Sequence, residues 1–455
     1  MEVCLKNAIA ACCVLSLAVG APLFGQQSNS SSLPPAHLRG GGHALLPQSS
    51  KQAKEDVGIR AHTNYRIFVP AGRSSDGFTV NEVRSNGTAD DAISPVPGYY
   101  AETPASLGCL YGLANAIAFC NPIGLSNANN PGGGSRAIAI VDAFDYPTAL
   151  SDLKAYSAEF GLPTPTSSNF TVTWVGSKPS PDPNCVAVSG WQCWATEAAL
   201  DIEMAHAAAP RAHIYLVEAT SNNFTDLFAA VTKATALVKA AGGGEVSMSW
   251  GGSEWNTESS EDWRFNQSKV VFFGATGDVE GTQYPAVSPN VVAVGGTTVT
   301  RSPYTLDFEQ ENAWEDGGGG VSLYEPLPSF QKKLASELPG RGIPDVAADA
   351  NPRTGVWLYD SYENTYGGVL QPWNIAGGTS VATPYWAGIV NHGGSFAASS
   401  AAELSLIYGT AGSTSYGRDY RDITYGTCGY YDGWYAQKGW DPCTGYGASI
   451  GQAGK

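Results

Sequence analysis

From about residue 101 onward, short apolar runs alternate with longer stretches in which apolar residues recur every three or four positions. Ala137–Val141, Thr171–Val175, Ile214–Val217, Val246–Trp250, Val270–Phe273 and Val291–Val294 have the length and composition of buried strands. Patterns around 147–160, 194–209 and 224–241 read as helices that separate several of them. The second is an alanine-rich run ended by Pro210. Such alternation predicts the α/β class, with a doubly wound, mostly parallel sheet and helices on both faces. No internal repeat is evident. Residues 61–100 carry a short strand-like run (Tyr65 to Val69) and turns, and residues 26–60, rich in Ser, Gln, Pro and Gly, are expected to be disordered. At the amino terminus Lys6 precedes an apolar run from Ala8 to Ala21, too short for a membrane span and followed by Gly25-Gln26-Gln27. This predicts a secretory signal over residues 1–22, a short region over 23–100 and one main domain over 101–455.

Export changes the reading of the nine cysteines. Cys4, Cys12 and Cys13 leave with the signal, and Cys12 comes too early in the apolar run for a lipoprotein site. The other six allow fifteen connectivities, of which local pairing is the simplest: Cys109/Cys120, Cys185/Cys193 and Cys428/Cys443. A formal charge of −16 argues against nucleic acid and anionic membranes as partners. With 43% hydrophobic and 15% charged residues the chain can bury a sizeable core.

Three patterns carry candidate chemistry. At 374–387 the chain reads Asn-Ile-Ala-Gly-Gly-Thr-Ser-Val-Ala-Thr-Pro-Tyr-Trp-Ala, which places Ser380 at the entrance of a helical run. Free backbone N–H groups and the positive helix end there suit a nucleophile whose attack generates an oxyanion. The six histidines fit badly as its base. His37, His43 and His62 lie in the Ser/Gly/Pro-rich stretch, His392 is twelve residues along the same helix, and His206 and His213 read as surface or structural residues. Glu197 and Asp201, four apart, share one face of the alanine-rich helix, while Glu203 points elsewhere and His206 lies nearly opposite. Finally, Phe-Phe-Gly-Ala-Thr-Gly-Asp at 272–278 is a strand running into a glycine turn that presents Asp278, where open α/β sheets gather active sites.

In this order, Glu-x-x-x-Asp, Gly-Asp after a strand and Gly-Gly-Thr-Ser-x-x-x-Pro resemble the sedolisins, the serine-carboxyl peptidases related to the subtilisins. The stretches at 137–153, 284–299 and 343–360 strengthen the likeness, which covers about residues 101–455. The resemblance implies a subtilisin-like fold and a secreted endopeptidase. In it Ser380 is the nucleophile, Glu197 the general base, Asp201 its orienting partner and Asp278 the oxyanion-hole donor. A carboxylate base suits acid: at pH 4 histidine is almost wholly protonated, a penalty of roughly 3.4 kcal/mol, whereas about a third of a glutamate is ionised. The stretch 420–447 is similar to the family's calcium loop. One structural Ca2+ would take carboxylates from Asp422 and Asp441 and carbonyls from Ile423, Gln437 and Gly439. Sedolisins usually carry a large folded propeptide, and only about 75 residues separate the signal from residue 101 here. The implied protein acts on polypeptides, as a monomer, outside the cell or in a periplasm. Tripeptidyl exopeptidase action and a catalytically silent binding protein on the same fold are the alternatives. An aspartic peptidase is disfavoured, since neither Asp-Thr-Gly nor Asp-Ser-Gly occurs.

Overall fold

The computed structural model describes residues 41–451 apart from 74–77, 79–93, 97–98, 115–117, 124, 188–192, 333–337, 363, 367–368, 395–396, 412 and 430–432. The signal region and residues 26–40 therefore lie outside the described residues.

In chain order the elements that position the site are β1 (Gly42–Leu45), β2 (His62–Thr63), β3 (Arg66–Pro70), α1 (Pro104–Leu110), β4 (Ala137–Ala143), α2 (Ala149–Phe160) and β5 (Phe170–Trp174). They continue with α3 (Trp194–Ala208), β6 (His213–Ala219), α4 (Phe224–Ala240), β7 (Gly244–Met248), β8 (Trp250–Ser253), β9 (Val270–Ala275) and β10 (Val292–Arg301). The set closes with β11 (Phe308–Ala313), β12 (Val346–Asp349), β13 (Val356–Tyr359), β14 (Trp373–Gly377) and α5 (Thr379–Gly393).

The main sheet runs β11-β10-β9-β7-β4-β6-β5, with β12 pairing β10. Every pairing is parallel except β10 with β11. Parallel strands need crossover helices, so both sheet faces are covered and β4 is buried along its whole length. The six expected strands and three expected helices are present, with shifts of a residue or two at most ends. The 246–250 run divides at Ser249 into β7 and β8, and β10 continues to Arg301.

Helix α3 is buried on all sides. Alanine makes this possible, because a slim helix can approach its neighbours closely. Against α5 the approach is so tight that a β-carbon on Gly388 would come within 2.4 Å of the Ala208 Cβ. Ser380 and the acidic face of α3 are thereby brought towards each other.

The expected disorder of residues 26–60 does not extend over 41–60. There β1 pairs β3, and β3 pairs β14 in a four-stranded sheet ordered β1-β3-β14-β13. Ile67, Phe68 and Val69 are at most 2% exposed. The expected strand at Tyr65–Val69 is present as β3, whereas composition missed β1, which is stabilised by pairing with β3 and through it with residues 373–377. All three local disulfides are present: Cys109–Cys120, Cys185–Cys193 and Cys428–Cys443. Among the described residues no helix is long and apolar enough to cross a membrane.

Candidate active site

The site is assembled at the carboxyl ends of the parallel strands, where the chain must turn and loops can present side chains. Asp142 ends β4 beside Ala143, Ser249 follows β7, and Asp278 follows β9 after Gly277. Ser380 enters from β14 through Gly378, which has φ +118°. A β-carbon on Gly378 would fall 2.2 Å from the Asn64 carbonyl oxygen and 2.6 Å from Asp278 Oδ2, so only glycine fits this turn.

The four expected residues come together, and all are buried. Ser380, Glu197 and Asp201 are 0% exposed and Asp278 is 4% exposed. The Ser380 hydroxyl donates to the Ser249 carbonyl at 3.0 Å while lying close enough to Glu197 to favour its ionised form. Burial, then Asp201 and Asp142, push Glu197 well above the usual carboxyl range. Burial and Asp142 do the same to Asp201, with the neighbouring Ser249 and Glu197 side chains acting the other way. Two buried carboxyl groups one helical turn apart repel each other's second charge and titrate as a unit.

Asp278 is held through one oxygen. Its Oδ1 accepts from the Thr379 N–H at 2.8 Å and the Thr379 hydroxyl at 3.0 Å. Burial pushes its pKa up to about 7, although Arg66 and the two Thr379 bonds pull the other way. In acid Oδ2 therefore carries a proton and can donate.

Three corrections follow. The backbone N–H groups at the helix entrance are not free: Thr379 donates to Asp278 and Ser380 donates to the Asn64 carbonyl at 3.0 Å. Glu203 is off the catalytic face as expected, but it is buried and accepts the Tyr359 N–H at 3.2 Å. His43 and His62 lie in β1 and β2 instead of a disordered stretch, and His37 is outside the described residues. His206 is a satisfied structural residue, its Nε2 2.9 Å from the Pro163 carbonyl oxygen.

Sequence reasoning overlooked Asp142. It sits at the end of β4, opposite Glu218 on β6, and burial and Glu218 push its pKa up to about 8. The signal was available, since the strand-then-aspartate logic that singled out Asp278 applies equally to the run ending in Asp142.

In the carboxyl-terminal loop the two expected carboxylates accept hydrogen bonds from N–H groups of the 437–444 segment. Asp422 accepts the Gly439 N–H at 3.1 Å, and Asp441 Oδ2 accepts the Gln437 N–H at 3.1 Å. Asp441 Oδ1 accepts from the N–H groups of Cys443 and Thr444. Gln437 and Gly439 thus turn N–H groups towards the two carboxylates. Ile423 is buried beside Asp422.

Comparison with known proteins agrees with this geometry. Residues 193–400 match the subtilase family, Peptidase S8. Kumamolisin of Bacillus sp. (strain MN-32) is 32% identical over 357 residues, covering 70% of this chain and 59% of kumamolisin. Sedolisin of Pseudomonas sp. (strain 101) is 35% identical over 188 residues, covering 38% of this chain and 29% of sedolisin. Xanthomonalisin of Xanthomonas sp. (strain T-22) is 30% identical over 230 residues, covering 43% of this chain and 24% of that protein. The chain therefore spans 59% of the length of kumamolisin and smaller shares of the other two. The solved structure of Pseudomonas sedolisin, a serine-carboxyl proteinase complexed with two molecules of pseudo-iodotyrostatin, shares the fold. Its TM-score is 0.58 at 23% identity, covering 77% of this chain and 95% of that one. The aligned sequence, the parallel sheet and the Ser380, Glu197, Asp201 and Asp278 cluster agree, and the chain is similar to the sedolisin family of serine-carboxyl peptidases.

Proposed function

We propose that this protein is a secreted, acid-acting endopeptidase in which Ser380 attacks the peptide carbonyl. The observation that carries the reading is the convergence of one serine and three carboxyl groups in a single water-excluded pocket, with no histidine among them. Glu197 takes the Ser380 proton, and Asp201 orients Glu197 and stabilises the proton it gains. Protonated Asp278 and the Ser380 N–H then hold the oxyanion. As the intermediate collapses, Glu197 returns the proton to the leaving amine. A water repeats the cycle on the ester and releases the acid. Asp142 beside the pair is itself protonated in acid, its pKa pushed up to about 8 by burial and Glu218, and adds no charge there.

The mechanism sets its own pH window. Glu197 must be ionised and Asp278 must not be. Burial carries the Asp278 pKa up to about 7, so the oxyanion donor stays protonated throughout the acid range and the alkaline limb lies near neutrality.

Secretion is supported by the short apolar run after Lys6 and by three disulfides, which suit an oxidising compartment. One structural Ca2+ fits the carboxyl-terminal loop in chemistry, since Asp422 and Asp441 offer hard oxygens beside the 437–439 strap. Bound there, the ion would clamp the loop and take no part in the reaction. The protein is proposed to act as a monomer on polypeptides. The test is digestion of a denatured protein at pH 4 by the wild type beside Ser380→Ala. Turnover should fall by on the order of 10⁴–10⁶ with the fold intact, and wild-type-like digestion by the variant would sink the assignment.

A further inference from the structure

The loop that presents Asp278 is pressed against the carboxyl-terminal disulfide loop through two adjacent glycines. A β-carbon on Gly318 would collide with the Thr276 carbonyl oxygen, and one on Gly319 with the Pro442 carbonyl oxygen beside Cys443. The Gly318 N–H donates to the Gly277 carbonyl and the Gly319 N–H to the Gly281 carbonyl, each at 2.8 Å. Backbone therefore brackets the catalytic loop on both sides of Asp278. Against the same glycine run stands a short antiparallel hairpin, Thr427–Cys428 paired with Trp434–Tyr435. It is fixed by the buried Cys428–Cys443 disulfide and by a 3.0 Å bond from the Gly429 N–H to the Glu315 carbonyl. A β-carbon on Gly320 would lie 3.1 Å from Trp434 Nε1, so the indole sits one short loop away from the oxyanion donor.

This hairpin is held by its backbone and its disulfide, yet its rings are left in solvent. Trp434 is 43% exposed and Tyr435 73%. Val279, the residue after Asp278, is exposed as well. So are Leu323 and Tyr324, which follow Ser322, and the Ser322 hydroxyl shares the Glu254 carboxylate with the Thr282 hydroxyl. Apolar groups gathered on the rim of a pocket mark an interaction surface.

Charge says what fits it. Residues 278–282, 315–325 and 425–437 contain no Lys or Arg, and Glu280 and Glu315 are exposed among them. A second copy of a chain with formal charge −16 would be repelled here. An unfolded polypeptide in acid is the opposite case: its Lys, Arg and His side chains are charged, part of its carboxylate charge is lost, and its apolar residues are uncovered.

We propose that Trp434, Tyr435, Val279, Leu323 and Tyr324 form a docking rim outside the catalytic pocket for unfolded, cationic polypeptide with apolar side chains. That this polypeptide is the substrate rests on the peptidase reading above. Aromatic rings supply contact area at a small cost in side-chain freedom, and the acidic residues between them hold Lys and Arg. A long chain docked on the rim is tethered beside Ser380, which raises its effective concentration there. A short peptide that spans only the bond to be cut gains nothing from the rim.

The experiment measures binding in full-length Ser380→Ala at pH 5, so that no cutting intervenes. The probe is a long, fluorescently labelled unfolded peptide rich in Lys and Leu, beside a counterpart with Glu for Lys. The lysine peptide should bind and the glutamate peptide should bind at least about tenfold more weakly. Adding Trp434→Ala, or Leu323→Lys at a fully exposed position, should each weaken the lysine peptide by about tenfold, and salt should weaken it too. In the active protein the same two substitutions should lower the ratio of long-peptide to short-peptide kcat/KM by a similar factor. Binding that ignores both substitutions, or that favours the glutamate peptide, overturns the rim and leaves the peptidase reading standing. Loss of a dimer in Trp434→Ala, seen by sedimentation, also overturns it, because the surface is then an interface between copies. Rim-dependent binding in a wild type that digests nothing overturns the peptidase reading and the substrate assignment with it.

Discussion

Replacing Asp278 by asparagine separates the donor role from the charge. The substitution keeps the shape: the side-chain oxygen can still accept from the Thr379 N–H and hydroxyl, and an NH2 group takes the place of Oδ2. What changes is titration. With a pKa of about 7, wild-type Asp278 is about 99% protonated at pH 5 and loses roughly tenfold in its donor form for each pH unit above 7. The asparagine amide donates at every pH. Removing an oxyanion donor outright costs about 10²–10³ in turnover, and exchanging O–H for N–H should cost less, on the order of tenfold at pH 4–5. The ratio of wild-type to variant rate should therefore be constant in acid and fall with pH above about 7. Stability gives an independent reading. The folded pKa is raised, so the protonated carboxyl's stabilisation is full below about pH 4 and lost as pH climbs through 7. The shift corresponds to an upper figure of about 4 kcal/mol for this buried group. The variant should thus melt higher than wild type at pH 8. The assay is cleavage of one quenched peptide from pH 2 to 9, with melting measured over the same range. Coincident alkaline limbs in the two proteins would refute the donor assignment.

Glu197→Gln should be nearly inactive and Asp201→Asn severely impaired, while Glu203→Gln should be mild because glutamine can still accept the Tyr359 N–H. Steady-state rates at pH 4 to 6 check this, and a sensitive Glu203 with a tolerant Glu197 would overturn the helix-face argument. Calcium chelation should lower the melting temperature, and Asp441→Ala should abolish that sensitivity, since a ligand bound only by the native state stabilises by mass action; an unchanged melt in metal-free wild type counts against the site. The fold as a whole should weaken in alkali. Glu245, Glu258 and Glu325 have pKa values raised by burial to about 8, 9 and 8, so each contributes most below about pH 4 and loses that contribution as pH rises through those values. Calorimetry should find a lower melting temperature at pH 9 than at pH 5, and the reverse order would contradict the burial argument.

The sequence by itself determined the sheet and the four candidate residues carried on it. Period and composition sufficed for β4, β5, β6, β9 and α2 to α4, because buried parallel strands and alanine-rich helices advertise themselves over a few residues. Ser380, Glu197, Asp201 and Asp278 were legible for the same reason: a glycine turn, a helix spacing and a strand end are all local. The three disulfides were too, each closing a short loop. Only the tertiary structure decided the rest. Residues 41–64 look like linker because their partners, β3, β8 and Asn222, are brought to them only by the fold, and no local pattern encodes a strand completed by another part of the protein. The burial that raises Glu197, Asp201, Asp142 and Asp278 arises from α3, α5 and the strand ends closing together. A pKa follows from what surrounds a carboxyl group in space, and sequence neighbours supply little of that surrounding.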